Sequence, residues 1–159
     1  NATIGLVRFD SDASVLHGMS RDYGSLRNKV GKLDVGGGTE YDDALSQALS
    51  QLNKASARGS HRRSVIFLSD GQPNSGDEGK REASDIRSSA KLYTVFIGGN
   101  ASVMRNMASP NGYSAASKPN SVAMNFLLRD VIGSDICARA RNYTQAQILA
   151  NCDALACDF

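Results

Sequence analysis

The sequence contains no apolar run near the ~18 residues that a helix needs to cross a membrane, so membrane insertion is not expected. It does not open on a basic stretch followed by an apolar one, so any secretory leader is expected to have been removed already. Charge of one sign is also lacking. Eighteen basic and sixteen acidic side chains leave +2, too little to imply nucleic acid or acidic lipid. Histidine is scarce: His17 and His61 are the two. A hydrolase would need one of them beside a nucleophile on a strand-to-helix elbow, and no Gly-x-Ser-x-Gly occurs. No Gly-x-Gly-x-x-Gly follows a strand, and Gly36-Gly37-Gly38-Thr39 lacks the Gly-Lys-Ser/Thr ending of a phosphate loop. Binding rather than catalysis is expected, and the protein is read as not an enzyme.

Cysteine is sparse and odd in number. Cys137, Cys152 and Cys157 all lie near the end of the chain, so one internal disulfide at most can form. The third thiol is left free or paired with another chain. Cys152-x₄-Cys157 has no histidine cluster beside it, which argues against zinc. Three glycosylation sequons, at Asn1, Asn100 and Asn142, fall at expected ends or loops. Together they favour a secreted protein over three reduced cysteines in a cytosolic one.

What is present suits one globular domain: 159 residues, 41% hydrophobic and 21% charged. Thr3 to Phe9 reads as a strand, Asp10-Ser11-Asp12 as a polar turn, and Ser14 to Leu16 as a short second strand of a hairpin. Asp22 opens a helix with Tyr23, Leu26, Val30 and Leu33 on one face. After three glycines comes a helix whose Tyr41, Ala44, Leu45, Ala48, Leu49 and Leu52 follow helical spacing closely. Ser64 to Leu68 is a continuous apolar run, expected to be a strand buried on both faces. A charged helix over Lys80 to Ala90, a buried strand over Leu92 to Ile97 and a short helix over Ser102 to Met107 follow. Tyr113 to Ala116 reads as a brief strand. Ser121 caps a last helix with Ala123, Phe126, Leu127 and Val131 inward, and an irregular Cys-bearing tail closes the chain. The alternation predicts an α/β fold: a Rossmann-like, doubly wound, mostly parallel sheet with an antiparallel edge hairpin and helices on both faces.

In such a sheet, sites form where strands end and loops lead into helices. Two loops qualify, Gly36 to Tyr41 and Ser69 to Pro73. Thr39 offers a neutral hydroxyl oxygen and Asp70 a carboxylate, part of the six-oxygen shell that Mg²⁺ takes near 2.1 Å. The plain alternative is a helix-capping threonine and a turn aspartate. Asp10-Ser11-Asp12-Ala13-Ser14 has a metal-loop look but sits in a hairpin turn. As a calcium loop it has Val15 where glycine belongs and Arg21 where a bidentate glutamate belongs. The basic cluster Arg58 to Arg63 reads as a solvated loop face.

The run Ile4 to Ala13 (IGLVRFDSDA) resembles the second-strand hairpin of von Willebrand factor type A domains. Gly37-Gly38-Thr39 with Ala44-Leu45 is similar to that family's threonine loop and helix, and Phe67-Leu68-Ser69-Asp70-Gly71 to its strand ending in aspartate-glycine. Leu92 to Gly98 fits its next core strand, and the order and spacing agree to about Gly133. The resemblance implies a domain over residues 1–133 and a Cys-containing tail over 134–159. It also implies that Thr39 and Asp70 belong to a metal-ion-dependent adhesion site. Such a site holds Mg²⁺ or Mn²⁺, with Ca²⁺ as a further option, and leaves a position for an acidic side chain of a protein ligand. The family's first metal motif, Asp-x-Ser-x-Ser, ends a central strand ahead of the matched region and does not occur in this sequence. The cation is therefore expected only where that motif is supplied. The sheet is expected to lack its central member, through an incomplete chain or a partner that provides the strand. The implied function is an extracellular adhesion or matrix module. The alternatives are a metal-independent structural unit joined to other chains through its odd cysteine, and an intracellular scaffold.

Overall fold

The computed structural model describes residues 3–34, 36–56, 63–74, 79–98 and 101–116. The expected last helix from Ser121, the cysteines, the three sequon asparagines and residues 58–62 of the basic cluster lie outside these.

Strand β1 (Ile4–Phe9) and strand β2 (Ala13–Ser20) form an antiparallel hairpin, with Phe9 opposite Ala13 and Val7 opposite Val15. The second strand is longer than Ser14 to Leu16. Register shifts along Ile4 to Val7 absorb the residues His17 to Ser20, whose types do not alternate cleanly. Helix α1 (Tyr23–Val30) is capped by Asp22, whose carboxylate accepts from the Ser25 amide at 2.9 Å. Arg27 and Lys29 in its last turn suit the negative helix end. The expected inward face does not form. α1 buries no residue, Tyr23, Val30 and Leu33 are exposed, and the helix ends at the Gly31 cap before Leu33 is reached.

Helix α2 (Tyr41–Ser56) carries the best apolar stripe. Tyr41, Ala44, Leu45 and Leu52 are buried, with Leu49 packed alongside. Strand β3 (Ser64–Ser69), helix α3 (Lys80–Ser89), strand β4 (Lys91–Ile97), helix α4 (Ser102–Met107) and strand β5 (Tyr113–Ala116) make two successive crossovers. They build a parallel sheet in the order β3-β4-β5. β4 is central: Leu92 to Phe96 are all buried, and the one polar member, Thr94, gives its hydroxyl to the Met104 carbonyl at 2.9 Å.

β3 departs from the expectation of burial on both faces. Phe67 is 5% exposed, whereas Ile66 and Leu68 on the opposite face are 46% and 42% exposed. The sheet is also divided: β1-β2 and β3-β4-β5 share no ladder among the described residues. Side chains join the halves instead. Phe9 from β1 stacks on Phe67 from β3, ring centroids 4.9 Å apart, and Tyr41 from α2 meets both edge-on.

Gly79, which precedes α3, fixes that helix against α2. Its φ of 79° is left-handed, and a Cβ there would lie 2.9 Å from Leu45 Cδ1 and 3.1 Å from Tyr41 Cβ. Gly79→Ala therefore combines a backbone penalty of about 1–2 kcal/mol with overpacking worth about 1–3 kcal/mol. Urea unfolding is expected to show a loss of at least about 2 kcal/mol.

Candidate metal-site loops

The C-terminal ends of β1 and β3 converge on the threonine loop that leads into α2. On the β1 side, Glu40 donates its amide to the Asp10 carbonyl at 2.8 Å, and Gly38 donates to Ser11 Oγ at 2.7 Å. Gly37 has φ 86°, and a Cβ there would lie 3.0 Å from both Asp10 Cβ and Ser11 Oγ, so the loop needs glycine to come this close. On the β3 side, Asn74 donates its amide to the Thr39 carbonyl at 3.3 Å, and its side chain donates to Glu40 Oε1.

Thr39 itself lies against Gly71. A Cβ on Gly71 would stand 2.6 Å from Thr39 Oγ1. The hydroxyl therefore sits at the residue following Asp70, whose position at the end of β3 is exposed. The two sequence-chosen residues, 31 positions apart, are brought to one place. α2 begins at Tyr41, so Glu40, not Thr39, directly flanks the helix.

The Asp10-Ser11-Asp12 segment forms the turn between β1 and β2, as its sequence suggested. The Asp10 carboxylate pairs with Arg8 and accepts from the Ser11 amide at 2.6 Å. Its neighbour Ser11 holds the threonine loop, a role the sequence did not show. Also missed were Asn74 and Tyr41. The Tyr41 hydroxyl donates to the Gly71 carbonyl at 2.6 Å, and the buried Ser69 hydroxyl donates to the same oxygen at 3.1 Å.

The donor chemistry, one carboxylate and one hydroxyl on adjoining loops, fits part of a hard-cation shell. It does not complete one. Among the described residues no three His, Cys, Asp or Glu side chains gather into a metal-binding group. No described helix is long and apolar enough to cross a membrane.

The described residues thus form a three-stranded parallel sheet and an antiparallel hairpin, with a threonine loop beside an aspartate-glycine loop. The model of the von Willebrand factor type A domain family matches residues 1–72, and the described fold is that of such domains. No curated protein sequence matches the chain significantly. Among solved structures, proximal thread matrix protein 1 of the mussel byssus, with zinc in its MIDAS motif, aligns with TM-score 0.67 at 22% identity. The alignment covers 83% of this chain and 36% of the mussel protein. Manganese-loaded TRAP protein of Plasmodium vivax aligns with TM-score 0.61 at 23% identity, over 83% of this chain and 58% of that one. The VWA domain of SpRpn10 aligns with TM-score 0.61 at 18% identity, over 84% and 71%. At these identities the likeness is one of fold, and this chain spans about a third of the mussel protein's length. Two of the three structures carry a divalent cation.

Proposed function

We propose that this chain is an extracellular protein-binding module of the adhesion type whose Thr39 and Asp70 contribute to a Mg²⁺ or Mn²⁺ site. The observation that carries the reading is the approach of the Thr39 hydroxyl to the loop that begins at Asp70, across two separate elements. Asp70 anchors the ion directly or through water, and Thr39 adds a neutral oxygen. The remaining donors come from outside the described residues. The cation, when bound, supplies a positive charge with a coordination position open to an acidic side chain of a protein ligand. The loops around Thr39 and Asp70 hold the donors in place and form the rim that selects the ligand. This is binding, with no bond made or broken.

In a second reading the same fold acts as a metal-independent structural unit of a larger assembly, since the described residues bring together no three His, Cys, Asp or Glu side chains. Titration of the full chain with Mn²⁺ separates the two. Asp70→Ala is expected to weaken Mn²⁺ binding at least tenfold. Its stability is expected to stay within about 0.5 kcal/mol, as for other exposed substitutions. A full chain that takes up no Mn²⁺ would leave the structural unit as the function.

A further inference from the structure

We propose that Tyr41 is the positioning residue that sets the distance between the two cation donors, acting through its hydroxyl on the Gly71 carbonyl. The proposal rests on the reading of Thr39 and Asp70 as cation-binding residues and goes beyond it. Tyr41 is wholly buried, so its ring has little freedom. Phe67 lies edge-on at 4.8 Å and Phe9 at 6.1 Å, and these contacts fix the ring plane and with it the place of the hydroxyl. That hydroxyl reaches 30 residues along the chain to the Gly71 carbonyl at 2.6 Å.

Both ends of this link matter. Tyr41 follows Thr39 by two residues at the start of α2, and Gly71 follows Asp70 directly. Gly71 is in turn the surface on which Thr39 Oγ1 rests. A shift of Gly71 therefore moves the carboxylate donor and the support of the hydroxyl donor together. The Ser69 hydroxyl holds Gly71 from its own strand, donating to its carbonyl at 3.1 Å and accepting from its amide at 3.2 Å. That bond shapes the turn locally but does not tie it to the threonine loop. The tyrosine bond does, and Asn74 ties the same loops through the Thr39 carbonyl. A phenylalanine would supply the same ring to Phe9 and Phe67, so the hydroxyl is the part of the side chain that serves the site.

The test is Tyr41→Phe in the full chain, read in two ways. Mn²⁺ affinity is expected to fall about three- to tenfold, the size of one neutral hydrogen bond lost. Amide exchange in metal-free protein is expected to quicken at Gly71 and Asn74 and to stay unchanged at Leu92 to Phe96 in β4. A residue that only filled the core would leave the affinity unchanged once the ring is kept, and an unchanged affinity overturns the proposal. Should the wild-type chain bind no Mn²⁺, the adhesion reading fails on its own. The exchange data then decide the link: local quickening upholds it, and none overturns it.

Discussion

Phe67→Ala is expected to remove about 3–5 kcal/mol of stability, a large share of the ~5–15 kcal/mol that a domain possesses. Part of the loss is the cavity left by a ring that is 5% exposed. The rest of the effect is architectural. Phe67 stacks on Phe9 and meets Tyr41 edge-on, and no ladder joins β1 to β3 to compensate for these contacts. Amide exchange in the variant is therefore expected to show β1 and β2 opening well before β4. Leu68→Ala is the control on the neighbouring residue. At 42% exposure it is expected to cost less than about 1 kcal/mol by guanidinium unfolding. Equal losses for the two variants would mean that the outer face of β3 is covered after all.

Gly71→Ala is expected to weaken Mn²⁺ binding at least tenfold while leaving the protein folded. Gly71 is not among the positive-φ glycines, so the backbone admits alanine. The obstacle is the Thr39 hydroxyl, 2.6 Å from the new carbon. To make room, Thr39 must rotate away from the Asp70 loop or the loop must retreat, and either separates the donors. The crowding costs about 1–3 kcal/mol. Adding Thr39→Ala relieves it, so the double variant is expected to regain stability without regaining the ion. A double-mutant cycle on unfolding free energy and on Mn²⁺ affinity reads both halves, with a coupling of about 0.5–3 kcal/mol for side chains in contact. Additive losses of stability would show that Thr39 and Gly71 do not touch.

The elements with strong periodicity were legible. α2 announces itself because six apolar residues fall on one helical stripe, and β5 and α4 stand at the residues their sequence suggested. The apolar run of β3 misled. A strand with Val65, Ile66, Phe67 and Leu68 in succession has apolar groups on both faces, but the sequence does not say which face has a partner. α1 misled for a related reason: Tyr23, Leu26 and Val30 are spaced for a helix, yet nothing in that spacing supplies a surface to cover them. At the site, Thr39 and Asp70 could be picked out by residue type and loop context. Ser11, Tyr41 and Asn74 could not. Their bonds to Gly38, Gly71 and Glu40 join positions 27, 30 and 34 residues apart, and only the fold chooses those pairs.

The division of the sheet carries a mechanical consequence. Under tension, a continuous sheet spreads the load over many backbone hydrogen bonds acting together. Here, among the described residues, a pull between the hairpin and the three-stranded half falls on side-chain packing through α2 and three aromatic rings, and on the few loop bonds near Thr39 and Glu40. The loop bonds that cross between the halves lie beside the two donors. Force parting the halves therefore strains that place, and whatever binds there acts as a clasp across it.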